Sequence, residues 1–122
     1  MVVSVGVDII AVARIARTLA RHGDRFLHKV YTPAEAAYCR GRPAELAVRF
    51  AAKEAISKAL GTGIAGISWT EMEILADRLG KPTVTLHGRA LQRARILGLE
   101  EWAVSLSHSD TDAIAMIVAT GK

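Results

Sequence analysis

The sequence predicts an α+β domain with a mostly antiparallel sheet packed by helices, and three observations lead there. Strand-like and helix-like periods are mixed without regular βαβ alternation, and the last two strand-like segments are joined by a short polar turn, as in a hairpin. The 122 residues suit one modest core and are too few for two ordinary ones, so the chain 1–122 reads as a single small domain.

The N-terminal segment comes first. Val3, Val5, Val7 and Ile9 alternate with Ser4, Gly6, Asp8 and Ile10, the period of a half-buried strand, with Asp8 on the face opposite the valines. From Ala11 the period lengthens. Val12, Ile15 and Leu19 form the inner side of a helix, Arg14, Arg17 and Arg21 recur on another side, and His22-Gly23-Asp24 is a stop. Thr32-Pro33-Ala34-Glu35 is a helix start with a Thr N-cap, a Pro at the first position and a Glu completing a capping box; that helix runs to about Cys39 or Arg40. A longer helix covers Ala44 to Leu60 and is ended by Gly61. Trp69 to Ala76 reads as a strand, Asp77 to Pro82 as a turn, Thr83 to His87 as a strand and Gly88 to Leu97 as a helix. Trp102 to Ser107 and Ala113 to Ala119 are the closing pair of strands.

Composition narrows the function classes. Apolar residues make up 51% and aromatics 5%, a globular make-up with an aliphatic, alanine-rich core. No apolar run approaches the ~18 residues of a membrane span, and the N-terminal MVVSVGVDII lacks the basic start of a signal peptide, so a cytoplasmic protein is expected. The single Cys39 excludes an internal disulfide and reads as a small buried hydrophobe. Sixteen Lys and Arg against twelve Asp and Glu give +4, a balance that suits an acidic partner or a phosphate-rich ligand.

The informative stretch is FAAKEAISKALGTGIAG, Phe50 to Gly66. Its GTGIAG formally matches a dinucleotide fingerprint, but a helix precedes it, a strand comes after it, and Asp77 comes too early for the acidic partner. The glycines are better read as a helix C-terminus and a flexible turn that lets a phosphate approach. On a helix, Phe50, Glu54, Lys58 and Gly61 share one ridge. Glu54 and Lys58 alone amount to an i,i+4 pair worth about 0.2–0.5 kcal/mol. Asp8 and Glu54 together could converge on a hard cation such as Mg²⁺, with Lys58 neutralising a phosphate beside it.

VGVDII, FLHKVYTPAEAAYC, RFAAKEAISKALGTGI, GISWTEMEIL, LGKPTVTL and VSLSHSDTDAIAMIVA, in this order over nearly the whole chain, resemble the holo-acyl-carrier-protein synthases, the small bacterial type of 4′-phosphopantetheinyl transferase. The resemblance implies the fold of that family and transfer of the phosphopantetheine arm of coenzyme A to a serine of apo acyl carrier protein, releasing adenosine 3′,5′-bisphosphate. It also implies that Asp8 and Glu54 hold Mg²⁺ and that Lys58 contacts the phosphates. The serine proton would leave either to Glu54 directly or through a metal-bound water.

Arg49, Phe50, Gly61, Gly80, Lys81, Pro82, His108 and Ser109 join Lys58 as implied coenzyme A contacts. From periodicity alone, Arg49 and Arg42 are solvated charges, Gly80-Lys81-Pro82 is an ordinary turn, and Ser107-His108-Ser109 has no nucleophile elbow around it. Leu79 stands where the family often has Asn. The resemblance further implies trimers with each site at a subunit boundary. Arg14, Arg17 and Arg21 suit the acidic carrier protein. No nucleic-acid module is recognisable and aromatics for base stacking are few. The rival reading is a small basic binding module in which Asp8 and Glu54 share no metal.

Overall fold

The structure is a computed structural model that describes residues 1–122 throughout. In chain order its elements are β1 (Val2–Ala11), α1 (Val12–His22), α2 (Asp24–Val30), α3 (Pro33–Cys39), α4 (Pro43–Leu60), β2 (Met72–Ala76), β3 (Pro82–Leu86), α5 (Gly88–Leu97), β4 (Glu101–His108) and β5 (Asp112–Gly121). β5 lies between β1 and β4 in a three-stranded sheet, and β2 and β3 form a separate hairpin. Every pairing is antiparallel, as the α+β reading expects.

α4 is the hub of the core. It lies on the inner face of the larger sheet, and small side chains on both sides let it come close: Ala51, Ala55 and Ala59 on the helix, Ala113, Ala115 and Ala119 on β5, all buried. The closest approach is at β1, where a Cβ on Gly6 would be driven into the backbone carbonyl of Ala55. Only a glycine lets strand and helix meet at that point.

The punctuation read from the sequence is largely reproduced. Thr32 and Glu35 form both halves of the capping box around α3, and Gly61 ends α4 with φ 75°. Two expectations change, and the covered side of β1, which the alternation leaves open, is decided. Gly23 stops α1, but the chain re-enters a helix at once, because Phe26 and Val30 of α2 fall one turn apart and are both buried. Trp69–Glu71 is a 3₁₀ turn rather than strand, closed by a capping box between Ser68 and Glu71. In β1 the alternation holds but the covered side is the polar one: Gly6 and Ile10 are buried beneath α4, whereas Val3, Val5, Val7 and Ile9 are 52–64% exposed.

Candidate active site

Gly6 sets the register of β1 on α4, and the flanking residues complete it. Ser4 Oγ donates to the carbonyl of Ala59 at 2.6 Å, and Lys58 Nζ donates to the carbonyl of Val7 at 2.9 Å. Asp8, two residues beyond Gly6 on the same face, accepts from Lys58 Nζ at 3.0 Å. Lys58 is 53% exposed at its side chain, so this ion pair is loosely held and contributes little stability.

Glu54 lies one turn before Lys58 on α4 and is half-buried. Partial burial raises its carboxyl above the ordinary range, and the charge of Asp8 raises it further; Lys58 and Arg14 pull the other way without balancing them. Glu54 is therefore a partly desolvated carboxylate that senses the charge of Asp8. Two neighbouring carboxylates are hard oxygen donors and fit a divalent cation that keeps waters or phosphate oxygens in its other positions. No group of three or more metal-ligating side chains is present, so two protein carboxylates are what this chain offers.

The other predicted coenzyme A contacts lie elsewhere. Arg49, Gly80, Lys81, Pro82 and His108 line one cleft of about 410 Å³, walled also by Tyr38 and β4, whereas Asp8, Glu54 and Lys58 do not border it. Arg49 and Glu54 are five residues apart on α4, so they project roughly 140° apart around its axis. The two groups of expected site residues therefore lie on different sides of one helix.

Arg49 is not a solvated charge. It is 2% exposed, its Nη1 lies 2.9 Å from the Glu45 carboxylate, and its guanidinium stacks 4.5 Å from the centre of the Tyr38 ring. Arg42 donates to the carbonyls of Cys39 and Tyr38, where it closes the end of α3. Phe50 stacks on Trp69 with ring centres 4.8 Å apart. Ser109 Oγ accepts from the backbone N–H groups of Thr111 and Asp112 and so shapes the β4–β5 turn. Leu79, at the tip of the β2–β3 hairpin, is 95% exposed beside the cleft.

Two features escaped the sequence reading. Lys53, the neighbour of Glu54, is fully buried with Glu35; its Nζ donates to Glu35 Oε1 at 2.8 Å and to the carbonyls of Trp69 and Met72. The KE pair in the motif signalled only two charges, because position on a ridge does not reveal what lies across from it. The second is basic: Arg25 and Lys29 of α2 line a cleft with Thr18 and His22 of α1, extending the positive surface of Arg14, Arg17 and Arg21. Cys39 is wholly buried, and burial pushes its thiol up to about 11, the inert small hydrophobe that was expected.

Residues 4–111 match the profile of the 4′-phosphopantetheinyl transferase superfamily. The chain belongs to that family. Among its transferase relatives, the holo-[acyl-carrier-protein] synthase of Moorella thermoacetica is 53% identical over 114 residues, covering 91% of this chain and 88% of the relative. That of Herpetosiphon aurantiacus is 48% identical over 123 residues, covering 95% and 97%. The crystal structure of the Helicobacter pylori holo-[acyl-carrier-protein] synthase in complex with coenzyme A superimposes with a TM-score of 0.87 at 31% identity, over 95% of this chain and 99% of that one. The Neisseria meningitidis enzyme gives 0.85 at 37% identity over 96% and 97%. The transferase fold expected from the resemblance is the fold observed.

Proposed function

We propose that this transferase moves the 4′-phosphopantetheine group of coenzyme A to a serine of apo acyl carrier protein, with adenosine 3′,5′-bisphosphate as the other product. The observation that carries the reading is the Asp8–Glu54–Lys58 constellation, built by one glycine contact between β1 and α4, in a chain that aligns almost end to end with holo-[acyl-carrier-protein] synthases.

Asp8 and Glu54 would hold Mg²⁺, which when bound supplies charge neutralisation for the pyrophosphate. Lys58, already half-exposed, swings from Asp8 to a phosphate oxygen once the carboxylate is engaged. The bond that breaks joins the pantetheine-bearing phosphorus to the bridging oxygen; the bond that forms joins that phosphorus to the serine oxygen. Lys58 compensates the charge that builds on the departing bisphosphate, so positioning and electrostatics do most of the work. A carboxylate engaged by a cation is a weak base, so the serine proton passes to solvent beside Glu54 rather than rest on its Oε.

The complete site is proposed to form between copies. Val3, Val5, Val7 and Ile9 of β1, with Ile114 and Met116 of β5, leave an apolar sheet face uncovered, and such faces mark interaction surfaces. Closing three copies into a ring through heterologous contacts would bring the carboxylate half-site of one protomer to the cleft of its neighbour. The exposed Arg14, Arg17 and Arg21 would meet the acidic carrier protein. No helix is long and apolar enough to cross a membrane, and cytoplasmic placement is part of the proposal.

The deciding experiment is the intact mass of apo acyl carrier protein after incubation with this protein, coenzyme A and Mg²⁺, beside a sample with excess chelator. A gain of one phosphopantetheine, abolished by the chelator, is expected. No gain with carrier proteins of known competence would favour the binding-module reading. Reversing Arg14, Arg17 or Arg21 to Glu is expected to raise KM for carrier protein, less so at high salt, and to leave KM for coenzyme A unchanged.

A further inference from the structure

A helix leaves its last four carbonyls without partners inside the helix, and in α4 all four are closed, by three different means. Ser57 O accepts from the N–H groups of Thr62 and Gly63, and Lys58 O from that of Gly61. These are the turns that a left-handed Gly61 provides, and the sequence announces them. Ala59 O accepts from Ser4 Oγ at 2.6 Å, and Leu60 O from Arg93 Nε at 3.1 Å. The last two donors arrive from β1 and α5, 55 and 33 residues away in the chain.

Arg93 is half-buried and has no carboxylate partner within ion-pair distance. Its Nη2 would lie 3.8 Å from a Cβ placed on Gly61. A guanidinium at the C-terminus of a helix also meets the negative end of the helix dipole. Beyond α4 the chain enters a turn in which Gly61, Gly63 and Gly66 all hold positive φ; its N–H groups reach Ser57 O and Lys58 O but not the last two carbonyls, which are left to Ser4 and Arg93. Lys58 sits in that last turn of α4, where helices fray.

We propose that Arg93, with Ser4, is a positioning residue of the transferase: through the Leu60 and Ala59 carbonyls the two side chains hold the last turn of α4, and with it Lys58, in place for the coenzyme A phosphates. This rests on the reading of Lys58 as a phosphate contact. Arg93 itself touches no substrate; it acts through the helix end.

The test is steady-state kinetics of the full-length enzyme with coenzyme A and apo carrier protein, with a denaturation midpoint for each variant. Arg93→Met keeps the stem and removes donor and charge. It is expected to raise KM for coenzyme A about two- to tenfold, the worth of one hydrogen bond, with KM for carrier protein unchanged. Arg93→Lys, which keeps a donor and a charge, is expected to recover most of that loss, and Ser4→Ala to reproduce it. In a Lys58→Ala background Arg93→Met should have no further effect on KM, because its effect passes through Lys58.

A lowered midpoint with wild-type KM for coenzyme A in Arg93→Met and Ser4→Ala would leave a structural cap only and overturn the inference. Full additivity with Lys58→Ala would make Arg93 a direct phosphate contact and also overturn it. Wild-type KM in Lys58→Ala itself would remove the reading of Lys58, and the inference with it. Should Arg93→Met not fold, Ser4→Ala and Arg93→Lys decide by the same criteria.

Discussion

Gly6 of β1 lies flush against the carbonyl of Ala55 on α4, with no room for a single methyl group. From this contact the proposed site takes its geometry, because Asp8 is two residues along the strand and Glu54 is the residue before Ala55 on the helix. Gly6→Ala is expected to cost about 1–3 kcal/mol by overpacking and to reduce activity further than that loss accounts for, since strand and helix must part between Asp8 and Glu54. Urea unfolding beside an activity assay at equal folded fraction measures both. A variant with unchanged stability and full turnover would show that the contact does not set the site.

Glu54 carries a cost that its removal should expose. Burial and the Asp8 charge raise its folded-state carboxyl above the unfolded value, so the ionised form is disfavoured in the fold. Folding is therefore favoured by this group below its unfolded pKa, and that advantage is lost as pH rises through the folded one. Glu54→Gln should raise the melting temperature of the metal-free protein at neutral pH, with the gain vanishing in acid, while abolishing both transfer and the stabilisation that Mg²⁺ is expected to give the wild type. Equal melting curves at neutral pH, or retained transfer, would contradict this.

Lys53 and Glu35 form a buried pair that ties α4 to α3 and β2. Glu35 Oε1 also accepts from Thr32 N and Oε2 from Ile74 N, so one carboxylate serves three elements. Burial lowers the pKa of Lys53, and the charge and hydrogen bond of Glu35 resist that shift. Lys53→Met strands a buried carboxylate and should cost about 3–5 kcal/mol. Adding Glu35→Gln removes the stranded charge and keeps one of the two acceptor oxygens, and should recover part of the loss. Equilibrium denaturation of the two variants is the check; a double variant less stable than Lys53→Met would show that the charge is not the source of the cost.

The placing of Glu54 outside the His108 cleft gives a test of the proposed assembly. Glu54→Gln and His108→Ala damage different halves, so each pure variant is expected to be impaired at every boundary. Subunits refolded together in equal amounts should regain wild-type sites at about a quarter of the boundaries, one half times one half, if each site draws on two protomers. Activity in the mixture no higher than in the separate variants would place the whole site within one chain.

The sequence by itself determined the punctuation and the chemistry on offer. Thr32, Pro33 and Glu35 start α3, Gly61 ends α4, and the order of VGVD and FAAKEAISKALGTG identifies the family, because caps, glycine turns and i,i+4 spacing are local and act wherever they occur. Tertiary structure alone decided which surfaces are covered. Period-two alternation in β1 defines two faces but not which of them α4 occupies, and the helix took the glycine face because only there could it come close enough. Arg49 reads as a solvated charge and Lys53 only as a charge beside Glu54 until Tyr38, Ile74 and Glu35 arrive from other elements to cover them, and the separation of Glu54 from the His108 cleft comes from α4 lying across the sheet face from β1 to β4. Burial, and pairing between elements distant in the chain, depend on what lies across a contact, and local spacing does not carry that information.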